Sequence, residues 1–312
     1  MKLGILFSGQ GAQYTGMGLD FYEKDQLFAQ KIDEASQITG LDIVAILKNE
    51  HNELDQTLYV QPALVAVSLG IYAMLKRDFK DLPIVGMTGL SLGEYGALAA
   101  SGMLSFAQTL AILKDRAIYM QADADANESM MAALLGPDIA KVQAICSEIS
   151  TPTNPVAIAN YNSKKQVVLG GTPSAVKVAC QKLVDEKAAK KVVPLNVSGA
   201  FHTPLFQKAS QKLAMRFSEE TFNEPEVLVM SNTTAQPLTA AQAKEVMAQQ
   251  VCQPTHFADC VQGLVQAGVD TFLEVGPGQT LVKFAKVVDR KAQRFNIEKM
   301  EDYMAFCQVM RG

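Results

Sequence analysis

A chain of 312 residues with 48% hydrophobic and 19% charged side chains can bury a full core, which excludes a disordered or fibrous polymer. A formal net charge of −4 supplies no global positive field, so nucleic acid is not expected as a partner. The cysteines Cys146, Cys180, Cys252, Cys260 and Cys307 show no Cys-x-x-Cys spacing, and His51, His202 and His256 have no ligand cluster beside them, so neither disulfides nor a metal is expected.

Residues 2–7 read as a buried first strand. The apolar opening is too short for a signal-peptide core or a membrane span, so a cytoplasmic protein without membrane contact is expected. Phe7-Ser8-Gly9-Gln10-Gly11 follows as a glycine-rich loop. Helical periodicity covers 25–39 and 61–77, the second with Pro62 at a first helical position, and 84–88 reads as a strand. Gly89-Leu90-Ser91-Leu92-Gly93 then turns into a helix, and a further helix over 106–121 carries Arg116.

The polar run Asp123–Ser129 has no periodicity and marks a boundary. Beyond it the pattern predicts strand 130–135, helix 137–149, strand 156–161, a turn at 162–165, strand 166–170, helix 173–187 and strand 191–195. That order is β-α-β-β-α-β, the ferredoxin-like pattern, and it predicts a small inserted domain over 126–197. Alternation resumes with helix 204–219, strand 227–231, helices in 239–250 and 256–267, strand 271–275 and helix 279–288. The large domain is therefore discontinuous, 1–125 and 198–312. Its alternation predicts an α/β fold with a mostly parallel sheet and a ligand site at the carboxyl ends of the strands.

Gly-x-Ser-x-Gly between a predicted strand and a predicted helix is the context of a nucleophile elbow, with the Leu92 amide and the helix N-terminus facing developing negative charge. A glycine-flanked capping serine is the alternative, and the strand-to-helix context favours catalysis. A serine nucleophile needs a base. His51 sits in a solvated run and His256 near a helix start suited to capping or packing, whereas His202 lies in Val-Ser-Gly-Ala-Phe-His-Thr-Pro beside the expected site, so His202 is the candidate base. No carboxylate declares itself as a third member. Glu274 or Asp270 fits by position, and a backbone group orienting the histidine fits equally. Gln10, between two glycines, is positioned to give a second oxyanion donor through its amide. The dinucleotide fingerprint begun by Gly9-x-Gly11 fails at Tyr14, and the phosphate loop begun by Gly11 fails at Met17, which puts nucleotide binding below acyl transfer.

The whole chain resembles the malonyl-CoA:acyl carrier protein transacylases of fatty-acid and polyketide synthesis. The resemblance rests on Phe-Ser-Gly-Gln-Gly-Ala-Gln at 7–13, Gln-Pro-Ala-Leu at 61–64, the elbow at 89–95, Arg116, the segment 160–171, Val-Ser-Gly-Ala-Phe-His-Thr-Pro at 197–204 and Glu-Val-Gly-Pro-Gly at 274–278, in family order. It implies a hydrolase-like large domain with a ferredoxin-like insert, Ser91 as nucleophile, His202 as base, and the Gln10 and Leu92 amides as the oxyanion hole. It further implies that Arg116 binds the malonyl carboxylate and that Gln250 belongs to the segment whose backbone orients the histidine. Without the resemblance, Arg116 reads as an exposed helix arginine paired with Asp115 or Glu94. Malonyl-CoA and acyl carrier protein are the implied substrate and partner, coenzyme A thioester being a substrate and no cofactor being needed, and a monomer is expected. Many members have histidine where this chain has Leu90. Lys187, Lys190, Lys191, Lys283 and Lys286 are candidates for a basic surface facing the acidic carrier. The rival readings are a serine hydrolase such as a thioesterase, and a nucleotide-binding or scaffold module built on the first loop.

Overall fold

The protein is described from a computed structural model covering residues 1–312. Its strands are β1 (Leu3–Phe7), β2 (Ile84–Gly89), β3 (Met130–Leu135), β4 (Val156–Ser163), β5 (Gln166–Gly171), β6 (Lys191–Leu195), β7 (Leu228–Val229), β8 (Thr271–Val275) and β9 (Gln293–Ile297). One sheet has the order β7-β2-β1-β8-β9 with every pair parallel. All residues of β1 and of β8 are buried, as expected of central strands covered by helices on both faces, where a continuous apolar run replaces alternation. The second sheet, β4-β5-β3-β6, is antiparallel, with one helix (Ile139–Ile149) between β3 and β4 and another (Pro173–Asp185) between β5 and β6. It buries its own hydrophobic cluster, built on Leu134, Val142, Val167, Leu169 and Val176, apart from the main core of the parallel sheet.

The 22-residue helix Thr57–Asp78 is long and apolar enough to cross a membrane, yet 78% of its most apolar window is buried in the protein. A helix apolar on all sides is a core helix when other helices wrap it, and here Gln26–Thr39, Leu92–Ala100 and Phe106–Ala126 do so. The two sheets meet where β4 pairs with the large unit: Tyr161 N–H donates to the Thr255 carbonyl at 2.7 Å and Thr255 N–H to the Ala159 carbonyl at 2.9 Å. This covers an edge strand that would otherwise expose unpaired backbone groups.

Several boundaries differ from the sequence reading. The helix expected from residue 61 starts at Thr57, so Pro62 lies inside it, where apolar packing on every side compensates the missing hydrogen bond. The helix carrying Arg116 continues to Ala126, through part of the polar run, because the buried Asp123 carboxylate accepts the Ala209 N–H at 2.7 Å. Strand β4 runs on to Ser163, shortening the expected turn, and the strand expected over 227–231 forms a ladder only at Leu228–Val229. The helix expected from 204 opens as a 3-10 turn, Pro204–Phe206. Helices Leu19–Lys24, Ile43–Lys48 and Met300–Arg311 and strand β9 had no counterpart in the sequence reading.

Candidate active site

The site is built at the carboxyl ends of β1 and β2. Between β2 and the helix Leu92–Ala100 the chain reverses at Ser91, whose φ of 54° and ψ of −101° lie in a region that costs a non-glycine residue about 1–3 kcal/mol. The flanking glycines make that turn possible. A Cβ on Gly89 would stand 2.1 Å from the Gly93 carbonyl carbon, and one on Gly93 would stand 2.0 Å from the Phe7 carbonyl oxygen. The elbow is also clamped from outside, since the Asn232 side chain accepts the Ser91 N–H at 2.6 Å and donates to the Gly89 carbonyl at 2.7 Å. Sequence reasoning missed Asn232. Its only signal was its place just past a strand parallel to β2, at the ligand end of the sheet.

His202, also at positive φ (64°), is buried and its ring spans two partners. Nδ1 lies 2.7 Å from the Gln250 main-chain carbonyl and Nε2 lies 2.7 Å from Ser91 Oγ. A carbonyl can only accept, so the proton sits on Nδ1 and Nε2 is free to take the serine proton. Burial pushes the imidazole down to about 4, the Gln250 carbonyl opposes the shift and the Arg116 charge adds to it. The ring is therefore neutral, and a base, from neutrality down to about pH 4. Neither carboxylate proposed from position touches it. Glu274 accepts the Val282 N–H at 2.9 Å at the start of the helix Thr280–Val288, and Asp270 accepts the Lys2 N–H at 2.8 Å, because both lie on the β8 side of the sheet. The orienting group is the Gln250 backbone. His256 packs its ring on Tyr161 at 4.9 Å, and His51 is exposed.

Arg116 is 1% exposed, so it is no surface ion-pair residue; Asp115 pairs with Arg216 instead, at 2.7 Å. Its Nη1 donates to Gln61 Oε1 at 2.7 Å, and its Nη2 to Gln250 Oε1 at 3.1 Å and to Ser91 Oγ at 3.3 Å. The Tyr95 ring centroid lies 5.3 Å from the guanidinium carbon. No carboxylate makes a direct ion pair with this guanidinium, which leaves a buried cation open to an anion arriving from the cleft. The Leu92 N–H opens its helix and has no acceptor within it, and the Gln10 N–H makes no hydrogen bond, so both are available donors.

These groups face one cavity of about 480 Å³. Gln10, Ser91, Arg116 and His202 form its polar side, while Met120, Met131, Leu195 and Phe201 supply apolar wall. Met131 and Leu195 come from the antiparallel sheet, so the cavity lies between the two sheets. Leu90 lines it too and also packs on the cluster around Phe257 and Leu281. The candidate lysines are all exposed and none lines the cavity.

A neutral imidazole with its proton on Nδ1 predicts a measurable pH profile. Phosphonylation of Ser91 by a fluorophosphonate should hold its rate as pH falls and drop only near pH 4, where Nε2 protonates. A drop centred at the ordinary histidine value near 6.5 would show that burial does not control the base.

Residues 5–300 match the acyl transferase domain family. Curated relatives include the malonyl CoA-acyl carrier protein transacylases of Bacillus subtilis, 32% identical across 99% of this chain and 98% of the relative, and of Staphylococcus aureus strain MRSA252, 31% identical across 96% and 97%. Among solved structures, MCAT from Streptococcus pneumoniae superposes with a TM-score of 0.93 at 36% identity, covering 99% of this chain and 100% of that one. A type II PKS acyl-carrier protein in complex with its malonyl-transacylase gives 0.93 at 28% identity, over 99% and 100%. The chain belongs to the acyl transferase family, as an acyltransferase whose curated relatives are malonyl CoA-acyl carrier protein transacylases.

Proposed function

We propose that the protein transfers a malonyl group from malonyl-CoA to the phosphopantetheine thiol of acyl carrier protein by a ping-pong mechanism through an ester on Ser91, supplying extender units for fatty-acid or polyketide synthesis. The observation that carries this reading is the position of one hydroxyl: Ser91 Oγ is hydrogen-bonded both to the basic nitrogen of His202 and to the Arg116 guanidinium. A nucleophile, its base and an anion receptor thus meet at a single oxygen.

Ser91 Oγ attacks the thioester carbonyl as its proton passes to His202 Nε2. The carbonyl oxygen becomes an oxyanion held by the Gln10 and Leu92 N–H groups. Its collapse breaks the carbon–sulfur bond, and coenzyme A leaves as a thiol with the proton from His202. The carrier thiol then gives its proton to His202 and attacks the ester, and Ser91 is reprotonated as the malonyl thioester departs. Arg116 receives the malonyl carboxylate on the donors that face the cleft, as a planar guanidinium can do in a dry site. The coenzyme A ester enters as substrate, and these steps call for no cofactor.

The small unit is read as a ferredoxin-like insert over 126–197. Its β-α-β-β-α-β order, its strand order and its separate core support that reading. The hydrolase alternative shares elbow and histidine and differs only in the acceptor. Intact-protein mass after brief exposure to malonyl-CoA should show a malonyl adduct that is discharged by added carrier protein. An adduct lost to water at one rate with or without carrier would make the protein a hydrolase.

A further inference from the structure

Beneath the elbow lies a carboxylate that takes no part in the steps above. Glu94 stands three residues after Ser91, in the first turn of its helix, and is fully buried. Its Oε1 accepts the Asn232 N–H at 3.1 Å and its Oε2 accepts from Gln250 Nε2 at 2.6 Å. Gln250 in turn presents Oε1 to Arg116 at 3.1 Å and shares its Nε2 with the Ser91 carbonyl at 3.0 Å. An amide side chain has one accepting and one donating end, so whatever meets one end decides what the other offers. An ionised carboxylate only accepts and a guanidinium only donates. Between Glu94 and Arg116 the Gln250 amide therefore has one stable orientation, and the two charges form an ion pair bridged by an amide.

Building on the reading of Arg116 as the receptor of the malonyl carboxylate, we propose that Glu94 is a positioning residue for acyl selectivity: it fixes the Gln250 amide so that its oxygen holds Arg116 for the incoming carboxylate. Because Nδ1 of His202 is held by the Gln250 main chain and not by its side chain, the orientation of the base stands outside this control. Ser91 meets the same network through its carbonyl and through Arg116, so the device is expected to weigh most on the acyl group that Arg116 receives and little on nucleophilicity.

Burial raises the Glu94 carboxyl to about 7, against the lowering effect of its hydrogen bonds and of Arg116. The other titratable groups around it are Arg116, His202, Tyr95 and Cys260. Burial holds His202 neutral down to about 4, moves the Tyr95 hydroxyl up to about 12 and pushes the Cys260 thiol well above its ordinary value. Burial lowers Arg116, with Tyr95 and Glu94 opposing the shift, and a guanidinium keeps its charge in a protein. Glu94 is thus the member of this group whose charge changes near neutrality. Once protonated it offers a donor where Gln250 needs an acceptor.

The test compares two rates at Ser91: malonylation by malonyl-CoA, which needs Arg116, and phosphonylation by a fluorophosphonate, which does not. In the unaltered protein the ratio of malonylation to phosphonylation should fall as pH is lowered through about 7, and His202, acting in both, cancels. Glu94→Gln turns the amide over so that its N–H2 group faces Arg116. The loss of one hydrogen bond to a charged group should lower malonylation about 10- to 100-fold with phosphonylation changed less than about threefold, and should flatten the pH dependence of the ratio. Equal losses in both rates, or a ratio independent of pH in the unaltered protein, would overturn the proposal, and the second needs no variant to fold. If the unaltered protein forms no malonyl ester, or if Arg116→Ala leaves malonylation unchanged, the functional reading beneath the proposal fails instead.

Discussion

Ser91→Ala is expected to abolish the malonyl adduct and to lower transfer to carrier protein by about 10³- to 10⁶-fold, with coenzyme A esters still bound. The size follows from the proposed mechanism. Without Oγ no covalent intermediate forms, and what survives is the oxyanion hole acting on direct attack by the second thiol. His202→Ala should lose nearly as much, because Ser91 Oγ would then have only Arg116 as partner, a group that donates and cannot take a proton. The double variant should be little worse than either single one, since residues that act as a unit do not add. The folded state should survive these changes. The elbow is held by Asn232 and by its glycines, and neither support depends on the serine hydroxyl. Adduct mass and steady-state transfer, measured beside thermal unfolding, check the set; a serine-free variant that still acquires a malonyl group would remove Ser91 from its role.

The second large effect is expected at Arg116. Arg116→Ala removes two charge-assisted donors from the place assigned to the malonyl carboxylate, which should lower malonylation about 100- to 1000-fold. Acetyl transfer should fall far less or rise, because an acetyl group leaves the guanidinium buried without an anion in direct contact and the variant lifts that penalty. The malonyl-to-acetyl ratio is therefore the sensitive quantity. Part of any change will be structural, since Gln61 Oε1 and Gln250 Oε1 lose their donor at about 1–3 kcal/mol each. Arg116→Lys separates the two effects: it keeps the charge as a single point and loses the planar fork, so it should restore only part of the ratio. An unchanged malonyl-to-acetyl ratio in Arg116→Ala would refute the assignment.

How much of this was legible in the chain differs from residue to residue. The elbow could be read because its requirement is steric and local: glycines two residues to either side of Ser91, between an apolar strand and a helix. Strand β8 and strand β6 were read with the observed boundaries, and the alternation of apolar segments was enough for a parallel sheet with helices on both faces. His202 followed from there being only three histidines to weigh. Those are properties of short segments, where periodicity and backbone freedom leave a mark in residue type.

The rest of the site leaves no such mark. By its own residues Arg116 read as a surface charge, and only the packing of the Phe106–Ala126 helix against the core turns it into a buried cation. The group that orients His202 is a main-chain carbonyl, which every residue carries, so no side chain could have announced it. Asn232 lies 141 residues from the serine it clamps, and Gln250 lies 159 residues from it. Glu94 stands next to the elbow, yet one partner, Asn232, comes from the loop at the carboxyl end of β7 and the other, Gln250, from the C-terminal end of the helix Ala240–Gln249. The sequence by itself determined most of the elements, the turn that exposes the serine and the choice of histidine. The tertiary structure alone decided which groups are taken out of water together, and that decides which charges persist, which nitrogen carries the proton and which oxygen faces Arg116.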